Sequence, residues 1–501
     1  MDHKEMIGHV EFSKGDVELG DANSLRQTLT RKEAERGISR KYDKHVLPLV
    51  WVLFILSYLD RGNIGNAKTA GAQKDLKLSS GQWAWVLLSF YITYTCLEWA
   101  VLFWKLFPAH IYVSAMCFGW GLVAMCAGLV HSFGGLVSCR VLLAVFEAGF
   151  GAGVPYYLSL AYKRRELGVR VSILLGSSPI ANCIAGAMAY GISQIKSSLA
   201  PWRMIFLIGK SALTTLCIIA NTSVEGAPTL FMVPIVWFFL MDSPKTAKFL
   251  TQEERTLAVE RMETKDTTRK SKLSTTQLLA GLRDYKNWCH AILHFSCNYS
   301  FAALSNFLPT IVNHMGYSSI NAQGLTAPPY LGAFITSMLA AWISDRTGSR
   351  GWTMSFCASF STIGYALLAT QHTTGLRYLG IWFAACGIFP ALAINMVWML
   401  NNNAGDTKRG IGMSLLAIIG QCSSFVASTV FPNEDAPYFV TGTAIGCGLS
   451  GLIVPMGIIL HFAYTAENKR KDREYGTAQD REGPIDVTND GDKHKDFRLL
   501  T

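Results

Sequence analysis

Residues 46–64 read VLPLVWVLFILSYLDRGNI. From Val46 to Leu59 every side chain except Pro48 and Ser57 is hydrophobic, and the run approaches the roughly 20 apolar residues that a helix needs to cross a hydrocarbon core of about 30 Å. It then meets Asp60 and Arg61, adjacent and of opposite sign, with Gly62, Asn63, Gly65 and Asn66 weakening the helix around them. An ionised side chain near a bilayer centre costs roughly 2.5 to 3.5 kcal/mol even on the gentler scales, so such a pair is expected to line a cavity and to have partners. A spanning helix with a charged pair in it therefore points to a polytopic membrane protein built around a polar interior.

The rest of the chain repeats the pattern. Apolar windows of spanning length follow at about 82–103, 111–130, 134–159 and 171–193, then at about 288–312, 325–344, 352–370, 377–400, 410–431 and 438–464. The 501 residues are 50% hydrophobic, only 16% are charged, against about 25% in typical soluble chains, and the mean hydropathy is +0.25. About 52 of the 80 charged residues fall in three polar stretches, 1–45, 242–287 and 466–501. Net charge is +10, but the basic residues are dispersed through tails and loops, which excludes nucleic acid as a partner. The 12 cysteines form no CxxC pair and lie mostly inside apolar runs, so they read as small buried hydrophobes, with no metal site. No HExxH and no nucleophile elbow occurs, and an enzyme is not expected.

Between Trp202 and Met241 lie two apolar runs, 204–220 and 227–241, which allow one span or two. Loop charge decides, because Lys and Arg accumulate on the cytoplasmic side. Arg40, Lys41 and Lys44, then Lys163, Arg164, Arg165 and Arg170, then Arg346 and Arg350, Lys408 and Arg409, and finally Lys469, Arg470 and Lys471 all fall inside if the region counts once. Lys68, Lys74 and Lys77 are the exception. The expected fold is all-α: twelve transmembrane helices in two six-helix halves, 46–241 and 288–464. A cytoplasmic linker, 242–287, joins them, and the tails 1–45 and 465–501 are expected to be disordered and cytoplasmic. Within the linker, TQEERTLAVERMETK (251–265) is helical in pattern and is expected to lie at the membrane surface.

The fourth span carries Arg140 and Glu147 in RVLLAVFEAG (140–149). Seven residues make about two helical turns, so both side chains share one face about 10 Å apart. Two guanidiniums and two carboxylates can thus face one cavity. A guanidinium stays protonated and grips a carboxylate through two parallel hydrogen bonds. A carboxylate in a low-dielectric cavity, pulled between desolvation and a nearby Arg, can take up and release a proton. Arg61 and Arg140 are accordingly read as substrate-binding, and Asp60 and Glu147 as proton-coupling. The second half offers softer groups, of which Asn298, Tyr330 and Asn395 are read as substrate-binding. The prolines and glycines within spans, Pro328 and Pro329 among them, are expected to mark broken helices facing a substrate path.

The motifs YLDRGNIGNAK, RVLLAVFEAG with YYLSLAYKRRE, DSPKTAKFLT, SSINAQGLTAPPYL, WISDRTGSR and NNNAGDTKRGIGM, spread over about 42–475, resemble the major facilitator superfamily. Within it the chain is similar to the anion:cation symporters, in particular the fungal permeases for allantoate, nicotinate and pantothenate. WISDRTGSR looks like the superfamily's loop signature, with Asp345, Arg346 and Arg350 in the gating positions and Ala341 where glycine is usual. The resemblance associates Arg61 and Arg140 with the substrate anion and Asp60 and Glu147 with protons. The loop WKLFPAHIY (104–112) lacks the charged signature of many relatives. The segment GKSALTTLCIIANTS (209–223) interrupts the sixth span, and we read it as a retained intron: Gly209 to Ser211 can be encoded by GGTAAGT and Ala220 with Asn221 by GCTAAC, so transcript reads across it decide the point.

The function implied is proton-coupled symport of a small organic anion by alternating access, driven by a proton gradient with no cofactor. Partners are the anion, protons and the lipid bilayer. The protein is expected to be a multi-pass monomer, with the plasma membrane as its location. The alternatives are an exporter of a fungal secondary metabolite and a non-transporting nutrient sensor.

Overall fold

The computed structural model describes residues 31, 33–151, 153–159, 161–162, 164–195, 199–207, 228–261, 275–403, 406–476, 494 and 497–501. Among them there is no strand. The first half contains α1 (Leu47–Thr69), α2 (Ser80–Cys96), α3 (Ala109–Cys126), α4 (Phe133–Gly151), α5 (Ser177–Ser193) and α6 (Pro228–Phe239). The second contains α7 (Tyr285–Asn313), α8 (Ser319–Thr347), α9 (Arg350–Thr370), α10 (Thr374–Asn402), α11 (Asp406–Thr429) and α12 (Val440–Tyr475). Local chemistry sets several ends. Ser79 and Gln82 form a capping box before α2, and the Ser318 hydroxyl accepts from Asn321 N before α8. Gly348, at φ +65°, stops α8 in the left-handed conformation, which glycine adopts without steric cost.

Seven helices among the described residues are long and apolar enough to cross a bilayer by length and composition alone. Helix α7 falls outside that set because it carries Lys286, Asn287, His290, His294, Asn298 and Asn306, all buried. Outward, the bundle exposes Phe118, Leu142, Phe356, Ile459 and Phe462. An apolar coat of this kind suits hydrocarbon rather than water.

The sixth crossing can be traced from its ends. Helix Pro201–Leu207 packs on residues 127–129 at the far end of α3, and Trp202 Nε1 donates to Asp75 at 2.8 Å. Past α6, Asp242 accepts from His110 N at 3.0 Å, at the start of α3. Residues 201 and 242 therefore lie at opposite ends of α3, as one net crossing requires. The described segments nearest the termini, 33–45 and 497–501, then lie on one face, called here the terminal face. The insert 209–223 lies outside the described residues.

Three expectations change. Residues 33–45, expected to be a disordered tail, continue the helix of α1 with a turn at Val46. They are tied down by Lys41 to Glu254 at 2.6 Å and by Arg170 to Asp43 at 2.6 Å. The linker helix Gln252–Glu260 forms as its pattern predicts and packs on this segment: Arg261 is buried, donating to Glu35 O, Ser39 Oγ, Ala161 O and Glu166. Hydrogen bonds from Lys41 and from Thr251 hold the Glu254 carboxyl below the usual carboxylate range. In the C-terminal tail, residues 465–475 continue α12 and residues 497–501 pack against the second half.

The third change concerns the prolines, because α8 and α10 are unbroken through Pro328, Pro329 and Pro390. A proline at position i frees the carbonyl at i−4. Leu325 O, freed by Pro329, accepts from Tyr378 Oη at 2.9 Å, and Cys386 O, freed by Pro390, accepts from Thr336 Oγ1 at 3.0 Å. Hydroxyls on neighbouring helices satisfy the carbonyls that were expected to face a substrate path.

Candidate substrate and proton site

Arg61 leaves α1 toward α4, where its Nε donates to Glu147 Oε2 at 2.7 Å. Glu147 has no exposed side-chain surface and Arg61 is 17% exposed. Aromatic rings box the guanidinium: its carbon lies 4.4 Å from the Tyr94 ring centre, 5.4 Å from Phe90 and 5.5 Å from Tyr58. Each such cation–π contact is worth roughly 0.5 to 2 kcal/mol, more when desolvated. Arg140 lies 5.3 Å from the same Phe90 ring, so two guanidiniums share one aromatic partner. Asp60 is buried and within electrostatic reach of Arg140, Glu147 and Cys117. The four residues singled out from the sequence thus form one charged cluster between α1 and α4.

Two atoms of this cluster are buried without a hydrogen-bond partner: Arg140 Nε and Glu147 Oε1. Leaving such groups unpaired costs roughly 1 to 3 kcal/mol each, more when charged. The unpaired atoms are one donor and one acceptor within the same charged cluster.

A cavity of about 20 Å³ lies between the halves, lined by Tyr58, Arg61, Tyr91, Asn298, Asn306 and Gln421 among others. That is room for about one water molecule. Only Arg61 of the four charged residues lines it; Asp60, Arg140 and Glu147 lie behind Arg61, which corrects the expectation that all four face the hollow. The halves close over the cavity on the face away from the termini. Ser80 donates to Glu434 at 3.0 Å, Asn433 to Gln73 at 3.3 Å and Gln323 to Asn66 O at 3.3 Å. Backbones also approach closely there, since a Cβ on Gly65 would stand 2.6 Å from Asn306 O, and one on Gly186 would meet Thr326.

The softer candidates divide. Asn298 lines the cavity, but its amide donates to Gly420 O at 2.8 Å and to Ser424, joining α7 to α11. Tyr330 is buried against Phe389 beside the cavity and does not line it. Asn395 is elsewhere: its Oδ1 pairs with His290 Nδ1 at 2.8 Å and its Nδ2 donates to His290 O, while His290 Nε2 meets Tyr464 Oη at 3.0 Å. Both ends of the amide are thus engaged with His290, and Asn395 does not line the cavity. The loop signature is assembled as a pair, Arg350 to Asp345 at 3.1 Å, with Arg346 over Trp342 at 5.3 Å.

Sequence reasoning missed Tyr91, which accepts from Asn306 Nδ2 at 2.9 Å across the halves, and Asn182, which donates to Ser305 at 3.2 Å. It also missed Glu98, one helical turn beyond Tyr94, whose Oε2 is buried without a partner and which feels the Arg61 charge. For Tyr91 and Glu98 the signal was available, because with Tyr94 they recur at helical spacing along one span; Asn182 carried none.

Two six-helix halves meeting at a small cavity beside a charged cluster of the first half, in a bundle coated with apolar side chains, define a polytopic membrane transporter. The chain belongs to the Major Facilitator Superfamily, whose family model matches residues 50–428. It is 30% identical to the major facilitator-type transporter hxnP of Emericella nidulans, over 93% of this chain and 94% of that protein. It is 27% identical to the high-affinity nicotinic acid transporter of Saccharomyces cerevisiae, over 93% and 85%. In fold it is similar to a bacterial homologue of the lysosomal transporter Spinster, solved inward-facing and unoccupied (TM-score 0.59, 14% identity, 88% and 98% covered). It is likewise similar to a D-xylose-proton symporter (TM-score 0.58, 14% identity, 84% and 97% covered). These relatives are transporters and not enzymes.

Proposed function

We propose that the protein is a proton-coupled symporter of a small organic anion. The observation that carries this is the buried Arg61–Glu147 pair at 2.7 Å, with Arg61 also facing the cavity. One guanidinium then has two possible carboxylate partners, Glu147 and the substrate. A proton on Glu147 removes its claim and leaves Arg61 to grip the incoming carboxylate. Anion and proton therefore bind together, which is the sign of symport. Arg140, against the same ring, keeps the cluster positive while Arg61 turns to the substrate, and Asp60 alternates with Glu147 in holding the proton. Of the sequence-based candidates in the second half, Asn298 lines the cavity and Tyr330 packs beside it against Phe389. A multi-pass monomer in the plasma membrane with both termini cytoplasmic completes the reading, and the nicotinic acid transporter among its relatives supports an aromatic or vitamin-like carboxylate.

The test is uptake of a panel of radiolabelled carboxylates, beginning with nicotinate, in a permease-deleted yeast at two external pH values. Saturable uptake that rises as external pH falls is expected. Uptake of none of them, or uptake indifferent to pH, overturns the reading.

A further inference from the structure

At the terminal face of the second half, residues 497–501 run back along the end of α12 and cross to α10. Phe497 and Leu499 are buried. Asn468 grips Leu499 on both sides, receiving its N–H at 2.9 Å and donating to its carbonyl at 2.8 Å. Asn402 grips Leu500 in the same way, at 2.7 and 2.9 Å, and Trp398 Nε1 donates to Leu500 O at 2.7 Å. Lys471 donates to Phe497 O at 3.1 Å, and Arg498 pairs with Asp472 at 2.7 Å. Finally Arg350 N donates to Thr501 O, beside the Asp345–Arg350 pair.

This is a built peptide site. Two asparagines reading consecutive residues through backbone N–H and C=O groups bind an extended strand as a neighbouring strand would, and two apolar side chains are seated beneath them. Three helix ends, those of α9, α10 and α12, are joined by one short segment. Helix α10 is also, with α8, an element of the second half that packs on Arg164–Leu175 of the first half, so it contributes to holding the halves together there. Trp398 packs in turn on His290, 5.0 Å between ring centres, which carries the contact into the α7–α10–α12 core.

We propose that Phe497–Thr501 is an autoinhibitory strap: docked, it fixes the terminal-face end of α10 to α9 and α12 and opposes opening of the halves on that face. Opening requires α8 and α10 to part from Arg164–Leu175, and the strap, held wholly by α9, α10 and α12, stiffens the end of α10 against the local bending that would begin that parting. This inference concerns the motion of the bundle and does not depend on which solute is carried.

The experiment uses the purified full chain in nanodiscs, a chain lacking residues 494–501, and a synthetic peptide of residues 494–501 bearing a fluorophore. Backbone hydrogen exchange at 395–403 and at the cavity-lining 420–424 is expected to rise roughly tenfold or more on removal of the strap, as when about two net hydrogen bonds are lost. The peptide is expected to bind the shortened chain saturably, to bind the full chain far more weakly, and to restore slow exchange. Arg498→Asp is expected to mimic the deletion and Asp472→Arg to rescue it, which keeps the test sound if the shortened chain is poorly folded. Exchange that is the same with and without the strap, or a peptide that binds both chains equally or neither, overturns the proposal.

Discussion

The two halves have the same helical plan and opposite electrostatic interiors. In the first half, α1 and α4 bury Asp60, Arg140 and Glu147 against the partly exposed Arg61, with Arg140 Nε and Glu147 Oε1 left unpaired. In the second, the set around His290 is closed, with His290, Asn395 and Tyr464 bonded to one another and Lys286 paired with Glu467 at 2.8 Å, while His294 Nδ1 and Arg377 Nε, away from that set, are buried without a partner. Unpaired buried charge is costly and adaptable, whereas a satisfied network is rigid. On the proposed reading, the charge that lines the cavity comes from the first half, as Arg61, and the second half supplies neutral wall residues such as Asn298, Asn306 and Gln421. Each experiment below tries to erase that asymmetry.

The largest effect is expected at Arg61. Arg61→Ala removes the partner of a carboxylate with no exposed side-chain surface and should destabilise the protein by about 3 to 5 kcal/mol, the usual cost of breaking a buried pair. Thermal unfolding in detergent measures it, and Arg61→Ala with Glu147→Gln should recover most of the loss without restoring uptake. Arg140→Ala should leave surface protein unchanged while weakening anion binding by about 2 to 5 kcal/mol, roughly 30-fold to several thousand-fold in uptake efficiency. Normal uptake by Arg140→Ala would remove that residue from the mechanism.

Glu147→Gln comes next. The amide is neutral at every pH, so Arg61 no longer waits for a proton, and uptake driven by a pH gradient should fall about tenfold or more while counterflow exchange continues. A variant that still accumulates substrate in response to external acid would transfer the coupling role to Asp60 or Glu98.

How much of this was legible beforehand follows from physical scale. Burial cost alone picked out the charged cluster, because a charge within an apolar run has few acceptable environments. Helical period placed Arg140 and Glu147 on one face, and α4 presents both inward. Loop charge counted the crossings, and the positions of Asp75, His110 and Asp242 agree. What period and composition could not supply was the partner of each neutral group. Asn298 lines the cavity and Asn395 does not, yet both are asparagines in spans; the difference is that His290 lies opposite Asn395, one pairing across α7 and α10. Pro329 was read as a break because the hydroxyl that repairs it, on Tyr378, lies about fifty residues further along the chain.

A smaller effect is expected where the halves touch. Gly65→Leu places side-chain atoms where Asn306 O lies 2.6 Å from a Cβ, and overpacking of this kind typically costs about 1 to 3 kcal/mol. The bundle can relieve the clash by opening on the face away from the termini. Spectroscopic distances between labels on that face should lengthen and uptake should slow, with surface protein retained. Unchanged distances would mean that the closure made by Gly65, Gln323 and Glu434 does not control access.

The smallest effect on transport is expected from Asn395→Ala, and this variant separates the two interiors most cleanly. The substitution removes the acceptor of His290 Nδ1 at 2.8 Å and the donor to His290 O, both in a fully buried setting. An unpaired buried group costs about 1 to 3 kcal/mol, which should appear as a lower unfolding temperature. Because Asn395 does not line the cavity, substrate affinity should shift less than about twofold, within the range expected of a residue remote from the ligand. If instead Asn395→Ala raises KM sharply while unfolding is unchanged, the second half reads substrate directly, and the division of labour between the halves has to be redrawn with α10 as part of the binding site.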